Sequence, residues 1–160
     1  MGLFDLELFK KAWGRFPTGV SVISSVEAND MIHGVTANGI MSVSLNPLLV
    51  LISLAHTSKS FKIISLDSKY GINILNDNQQ NIASYYATKS ENKLDNKTDW
   101  FKLSKTGVPL LRKCLSSMSC EVVQAYKAGD HTLFLGKVNE IYVNEGEPLL
   151  YYNKEFNKLI

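Results

Sequence analysis

The stretch that most limits how this chain can fold is Gly34–Ser44, which reads GVTANGIMSVS and leads through Leu45-Asn46-Pro47 into the apolar run LLVLISL. Small and hydroxyl side chains stand here where a buried strand normally carries bulky ones. Small side chains let a ligand approach the backbone closely, and Thr, Asn and Ser supply hydrogen bonds that orient it. The stretch therefore predicts a strand that makes room for a ligand.

Length and composition predict one globular domain over residues 1–160, because 160 residues are enough to bury a sizeable core. A net charge of +2 is too small to favour a nucleic-acid partner. Apolar runs stay far below the 18 residues that a membrane span needs, and acids at Asp5 and Glu7 argue against a signal peptide. We therefore expect a cytoplasmic protein that binds neither nucleic acid nor membrane.

Common catalytic and metal-binding motifs are missing from the sequence. Cys114 and Cys120 have a C-x5-C spacing that matches no common zinc site, which favours two reduced thiols, and the histidines lack metal-ligand spacing. The sequence contains no G-x-S-x-G, no phosphate-binding P-loop and no G-x-G-x-x-G. If the chain binds a nucleotide, it does so with another architecture, and we predict no metal.

Apolar periodicity and capping residues predict three helices. The first runs from about Asp5 to Phe16, with Leu6, Phe9 and Trp13 on the same face as Phe16. Ser58 caps a short helix that ends near Ser65, and Asp77 caps a helix over residues 77–87.

Alternation and turn residues predict the strands. Residues 20–26 and 31–38 form a hairpin, 48–55 a strand buried on both faces, and 70–75 an alternating strand, followed by strands over 115–126, 132–143 and 148–153. Residues 88–105 are polar and form a surface excursion, in which Trp100 and Phe101 either anchor the segment or touch a ligand or partner. The pattern is typical of a mainly β protein with peripheral helices, a β-barrel, and not of a doubly wound α/β sheet.

His131 is the histidine with the strongest functional signal. It follows Gly129-Asp130 at a hairpin corner, so it either hydrogen-bonds a ligand or merely ends a strand. His33 and His56 are expected to be structural or solvated.

Five ordered blocks carry a family resemblance: RFPTGVSVI (15–23), HGVTANGIMSVSLNPLLVLISL (33–54), YGINIL (70–75), AGDHTLFLGKV (128–138) and EPLLYYNKEF (147–156). Together they resemble the small flavin reductases of two-component monooxygenases. These NAD(P)H:flavin oxidoreductases supply reduced flavin to phenol or 4-hydroxyphenylacetate hydroxylases. The resemblance covers nearly the whole chain, and its strongest parts are T-A-N…S-V-S-L-N-P and G-D-H.

The resemblance implies an FMN-binding split β-barrel, a homodimer, a flavin-dependent monooxygenase as partner, FMN or FAD as cofactor, and NADH or NADPH as co-substrate. It places the flavin ring and ribityl chain against Thr36, Ala37, Asn38 and Gly39, with Ser42 and Val43 continuing that wall and Tyr86 and Ala87 at the ring edge.

The flavin phosphate would take the corner from Ser53, Leu54 and Ala55 to Ser58, Lys59 and Ser60. Hydroxyls and amides at a helix start beside a cation also suit a phosphate on physical grounds, although Ser58 is equally suited to be a simple helix cap. The nicotinamide nucleotide would face His131, across the barrel from the flavin wall, together with Tyr152, Asn153 and Lys154. Family members often carry a glycine in this last block, and Asn153-Lys154-Glu155-Phe156 has none.

The implied reaction is hydride transfer from the nicotinamide to flavin N5, with backbone N–H groups beside Thr36–Gly39 stabilising the negative charge that develops near N1 and O2. The cofactors carry this chemistry, and the protein aligns two rings. Two other functions remain open: a non-enzymatic flavin-binding or storage barrel, and a flavoprotein oxidase or ferric reductase on a related barrel.

Overall fold

The computed structural model describes residues 5–28, 30–65, 68–88 and 98–159. The helices are α1 (Leu6–Trp13), α2 (Lys59–Ile63) and α3 (Gln80–Ala87). The strands in chain order are β1 (Thr18–Gly19), β2 (Ser21–Val26), β3 (Ile32–Ala37), β4 (Ile40–Leu45), β5 (Leu48–Ala55), β6 (Lys69–Ile74), β7 (Phe101–Leu103), β8 (Pro109–Leu111), β9 (Ser116–Ala128), β10 (His131–Val143), β11 (Leu150–Tyr152) and β12 (Glu155–Asn157). No helix in these ranges has the length and apolar character needed to span a membrane.

The main sheet has seven antiparallel strands in the order β3-β2-β6-β9-β10-β5-β4. Its two edge strands, β3 and β4, are consecutive in the chain and are joined only by Asn38 and Gly39. A two-residue link cannot bridge the width of a flat seven-stranded sheet, whose strands lie about 4.8 Å apart. The sheet therefore curls until its first and last strands meet at this link.

One hydrophobic core fills the interior of the curled sheet, and all seven strands contribute to it. Ile23, Ile52, Ile72, Val122 and Phe134 are among its buried members, and β3 and β4 add Val35 and Ile40. The mainly β architecture with peripheral helices is therefore confirmed.

The strand that is buried on both faces is β6 and not β5, so that prediction was wrong for β5. Along β5 the burial alternates, with Val50, Ile52 and Leu54 buried and their neighbours partly exposed. In β6 four consecutive residues are buried, because a second layer packs on its outer side. The buried amide of Asn73 joins the layers: it donates to the carbonyl oxygen of Val22 and accepts from the amide of Leu111 at 2.7 Å.

The second layer consists of α3, β7, β8 and the small sheet β1-β11-β12, packed around a second core. Phe101 is buried and Trp100 packs against the rings of Tyr85 and Tyr86, which confirms the anchor role for this pair. Most of the polar segment before them, residues 89–97, lies outside the described residues.

Two helix boundaries differ from the predicted ones. α1 begins after Asp5, which accepts from the amide of Glu7 as an N-cap, but ends at Trp13 instead of continuing to Phe16. α3 begins after Gln79, whereas Asp77 pairs with Lys158 at 3.1 Å and caps nothing. Ser58 caps α2 as predicted.

The apolar face of α1 is unusual because it lies open to solvent. Leu6, Phe9, Trp13 and Phe16 are between 59% and 64% exposed, and no residue of α1 is buried. An isolated helix of this length is marginal in water, so its contacts with the rest of the chain matter. They come from the β11–β12 turn, where the amide of Asn153 donates to the carbonyl of Gly14 at 2.9 Å.

Both cysteines are unbridged, as predicted, and the structure buries both of them. Burial raises the pKa of the Cys120 thiol to about 12 and also raises the pKa of Cys114.

The β11–β12 turn holds two non-glycine residues in the left-handed region, Asn153 at φ 51° and Lys154 at φ 71°. A two-residue hairpin with positive φ at both positions favours Asn followed by Gly. Lys154 thus occupies the second position of the turn, which favours glycine. Lys113, at φ 59°, is another lysine with a left-handed backbone conformation.

We predict that Lys154→Gly stabilises the protein. The left-handed conformation costs an L-residue about 1–2 kcal/mol, and glycine loses about 0.5–1 kcal/mol more backbone entropy on folding, so the free energy of unfolding rises by about 0.5–1 kcal/mol. Thermal unfolding should show a melting temperature higher by about 2 °C. Lys113→Gly should also raise the melting temperature, and Lys62→Gly, within α2, should lower it. A Lys154→Gly protein that melts earlier than wild type would contradict this account.

Candidate functional site

The end of β3 forms one wall of a cleft, which we name the wall cleft. Thr36, Ala37 and Asn38 line it together with Ala87 and the rings of Tyr151 and Phe156, and its volume is about 270 Å³. Most of these side chains are small or flat. β3 is an edge strand, and edge strands present backbone N–H and C=O groups on their outer side. The cleft thus combines a flat, largely apolar floor with backbone hydrogen-bonding groups.

The small residues of the opening stretch are needed for packing as well as for space. An added Cβ at Gly34 would lie 2.6 Å from the ring of Tyr86, and one at Gly39 would lie 3.3 Å from Cβ of Ser53. The Thr36 hydroxyl donates to the carbonyl of Ala83 in α3 at 2.6 Å. Thr36 therefore presents its methyl group and backbone, more than its hydroxyl hydrogen, to a ligand.

Of the two residues predicted at the flavin edge, Ala87 lines the wall cleft and Tyr86 does not. Tyr86 is only 4% exposed, and its ring packs edge-on against Trp100 and Phe101. The resemblance assigned both residues to the ring edge, but consecutive helical residues point in directions about 100° apart. Tyr86 belongs to the second core.

The predicted wall also divides at Gly39. The carbonyl of Gly39 accepts from the amide of Ser53 at 2.9 Å, which fixes the corner to β5. Ser42 lies beyond this corner and lines a different, apolar cavity of about 370 Å³, together with Met41, Leu45 and residues of β5 and β10. Val43 sits at a register irregularity between Ser42 and Ser44 and is exposed. Thr36–Asn38 and Ser42 therefore line two different cavities, and Val43 lines neither of them.

The predicted phosphate corner is assembled, but each of its three best donors already has a protein partner. Ser58 accepts from the amide of Phe61 at 3.1 Å, and Lys59 Nζ lies 2.6 Å from Glu27 Oε1. Ser60 is buried, and its hydroxyl lies 2.8 Å from Nε2 of His33. The cap role of Ser58 is confirmed, and Lys59, with a half-exposed side chain, is the cation of this corner.

Glu27 and His33 were missed as members of this corner. His33 Nδ1 lies 3.8 Å from Glu27 Oε1, so Glu27 stands beside both the imidazole and the ammonium of Lys59. The only sequence signal was the predicted β2–β3 hairpin, whose register brings Ser25 opposite His33 and so places residue 27 nearby. No sequence motif near Glu27 or His33 indicates that they contact α2.

His131 lies next to the phosphate corner, so the expectation that it stands across the barrel was wrong. The register of β5 and β10 pairs His131 with Ala55 and Leu133 with Ser53. Leu54, between Ser53 and Ala55, has its side chain buried in the core, so only its backbone is available to a ligand. His131 Nδ1 lies 2.7 Å from Asp130 Oδ1, and this hydrogen bond and the charge of His131 lower the pKa of the Asp130 carboxyl.

His56 is structural, as expected. Its Nε2 lies 3.0 Å from the hydroxyl of Thr132, its backbone amide donates to the carbonyl of Asp130, and its ring packs on Phe61 with centroids 4.7 Å apart. These contacts hold the hairpin corner that carries His131.

A second cleft of about 220 Å³, which we name the aromatic cleft, lies between α1 and the β11–β12 turn. It contains Asn153 and Lys154, two of the three residues predicted to face the nicotinamide nucleotide. The third, Tyr152, is exposed beside it, with its hydroxyl 3.4 Å from Nη1 of Arg15. Asn38 and Tyr151 line both this cleft and the wall cleft, so the two adjoin.

Comparison with known proteins places the chain in a family. A family model described as a flavin reductase like domain matches residues 13–159, and the chain belongs to this family. The split-barrel fold implied by the sequence is that of its structural neighbours.

Individual relatives agree with this assignment. An NADH-dependent flavin reductase from a Rhodococcus species is 37% identical over 152 residues, which are 94% of this chain and 84% of that protein. The structure of flavin reductase PheA2 in its native state superposes with a TM-score of 0.89 at 40% identity, covering 98% of this chain and 99% of that one. BorF, the flavin reductase component of a bacterial two-component tryptophan halogenase, has a TM-score of 0.89 at 28% identity, covering 97% of this chain and 98% of that one.

Proposed function

We propose that this protein is an NAD(P)H:flavin oxidoreductase, a single domain over residues 1–160, that reduces FMN or FAD and supplies the reduced flavin to a partner flavin-dependent monooxygenase. The observation that carries the proposal is the wall cleft at the junction of β3 and β4, in a chain of the flavin reductase family. The Rhodococcus relative is named as NADH-dependent, and BorF as one component of a two-component system.

The residues of the wall cleft fit a flavin ring. Ala37 and Ala87 leave a flat space, Tyr151 and Phe156 supply aromatic surface, and the outer edge of β3 supplies backbone donors and acceptors for the polar rim of the ring. When bound, a flavin supplies the capacity to accept a hydride from a nicotinamide, which no side chain can do.

The chain's own residues bind and orient in this proposal. Thr36–Gly39 position the ring and their backbone N–H groups stabilise the charge that develops on its polar edge. Lys59, with Ser58 and the end of β5, meets the phosphate. His131, beside Ala55 at the same end of β5, hydrogen-bonds the nicotinamide nucleotide from the hairpin corner that His56 and Asp130 hold in place.

A second surface, which we name the hairpin face, supports the proposal of a homodimer. Its exposed apolar members are Met41, Val43, Leu45, Leu48, Ile141 and Val143. Four of them, Met41, Leu45, Leu48 and Ile141, line the apolar cavity of about 370 Å³. Monomeric proteins rarely expose contiguous apolar patches of this kind, and a second copy of the hairpin face is an apolar partner of matching chemistry.

The experiment that tests the enzymatic function is a flavin-dependence assay. Purified protein is mixed with NADH or NADPH and with FMN, FAD or riboflavin, and nicotinamide absorbance is followed. We expect consumption that depends on added flavin, with no consumption when flavin is omitted. Tight flavin binding without nicotinamide oxidation would support the storage barrel and refute the reductase.

We predict that His131→Ala raises the KM for the nicotinamide, or slows flavin reduction, by about tenfold, because a positioning hydrogen bond is lost. Flavin affinity should stay within about twofold, since the wall cleft is untouched. Stopped-flow reduction and fluorescence titration of the flavin measure the two quantities. Asp130→Asn, which keeps a hydrogen-bond acceptor beside the ring, should lie between wild type and His131→Ala. Unchanged reduction kinetics would remove His131 from the mechanism.

We predict that Leu45→Glu, at a side chain that is 84% exposed, dissociates the dimer because it places a charge in the hairpin face. Light scattering coupled to gel filtration should show twice the chain mass for wild type and a monomer for the variant. Leu103→Glu, at a comparably exposed leucine outside the hairpin face, is the control and should remain dimeric. A wild-type protein that elutes as a monomer would refute the interface.

A further inference from the structure

The salt bridge between Glu27 and Lys59 differs from an ordinary surface ion pair. Lys59 Nζ lies 2.6 Å from Glu27 Oε1, although the two residues are 32 positions apart in the chain. The side chain of Glu27 is only 21% exposed, whereas that of Lys59 is 42% exposed. Exposed ion pairs contribute little because water and salt screen them, but a carboxylate that is largely buried is screened much less. Glu27 therefore neutralises much of the charge of the Lys59 ammonium.

The backbone fixes the Glu27 carboxylate in this position. Glu27 lies in the turn between β2 and β3, where its amide donates to the carbonyl of Met31 and its carbonyl accepts from the amide of Asp30, both at 2.9 Å. Its Oε1 also lies 3.8 Å from Nδ1 of His33, whose Nε2 lies 2.8 Å from the hydroxyl of Ser60. Glu27 is thus a fixed member of the phosphate corner.

A phosphate that binds Lys59 has to share this ammonium with Glu27. A phosphate monoester carries a charge of about −1.5 to −2 at neutral pH, so a carboxylate on the same cation repels it. If Lys59 instead turns wholly to the phosphate, the largely buried Glu27 loses its ammonium partner, which is also unfavourable. In both cases Glu27 opposes the contact between Lys59 and the phosphate.

Exposure distinguishes Glu27 from Asp130, the acid beside His131 at the same end of the barrel. The side chain of Asp130 is 94% exposed, so water and salt screen its charge from a ligand. Of these two acids, Glu27 is therefore the one whose charge acts on a phosphate bound at Lys59.

We propose that Glu27 is a positioning residue that competes with the flavin phosphate for Lys59, and that it thereby keeps the flavin a substrate that is released and not a permanently bound group. This inference rests on the proposed function, because it concerns the phosphate contact of Lys59. A protein that supplies reduced flavin to a partner has to release the flavin in every turnover, and a weakened phosphate contact speeds that release. Affinity differences between closely related complexes lie mainly in the dissociation rate.

The test compares FMN with riboflavin, which has the same ring and ribityl chain but no phosphate. We expect Glu27→Gln to bind FMN about fivefold more tightly and to release it about fivefold more slowly, because Lys59 no longer has a carboxylate partner. Riboflavin affinity should stay within about twofold, which also shows that the variant is folded. Fluorescence titration measures the two affinities, and stopped-flow dilution measures the release rate of FMN.

Two further variants serve as controls. Glu145→Gln removes the same charge from an exposed turn beyond Val143, at the opposite end of β10 from His131, and should leave FMN affinity within about twofold. In a Lys59→Met background, Glu27→Gln should also change FMN affinity by less than about twofold, because the carboxylate and the phosphate no longer have a cation to share.

The outcomes separate this inference from the proposed function. If wild type reduces flavin but Glu27→Gln gains no FMN affinity, gains equally for riboflavin, or gains as much in the Lys59→Met background, the inference is wrong while the proposed function stands. A phosphate-dependent gain in Glu27→Gln, in a protein that does not oxidise NADH or NADPH when flavin is present, would support the competition at Lys59 and refute the reductase.

Discussion

The link of Asn38 and Gly39 between β3 and β4 is the constraint on which the rest of the structure depends. Successive Cα atoms are 3.8 Å apart, so this link lets Ala37 and Ile40 separate by at most about 11 Å. Because these residues belong to opposite edges of a seven-stranded sheet, the sheet has to close on itself. The closure gathers side chains from all seven strands into one core and leaves the wall cleft beside the junction.

Sequence periodicity predicted the parts of this fold that are determined locally. The β2–β3 hairpin, the two long strands β9 and β10 and the Ser58 cap all follow from residues close together in the chain. Sequence periodicity did not predict which strand is buried on both faces. The sequence of β6 alternates like that of a half-exposed strand, and β6 is buried on both faces only because a second layer packs over it. Strands of two or three residues, such as β1, β7 and β12, are too short to carry a periodic signal.

The candidate site shows the same limit. Family-like blocks predicted Thr36–Asn38, Lys59 and His131, but the partners of these residues are distant in sequence: Glu27 for Lys59, and Ala83 for Thr36. The closeness of His131 to Ala55 is a matter of strand register, which composition does not encode. The aromatic cleft joins the N-terminal helix to a turn more than 130 residues later. The resemblance named Asn153 and Lys154 in that turn, but nothing in the sequence linked them to α1.

Burial of the two thiols has a consequence for their chemical reactivity. Only the thiolate is an effective nucleophile toward disulfides and peroxides, and with the pKa of Cys120 near 12 that form is negligible at neutral pH. Both thiols are also buried, which removes them from contact with disulfides and oxidants in solution. The two cysteines therefore contribute to the packing of the two cores and are poorly placed for thiol chemistry.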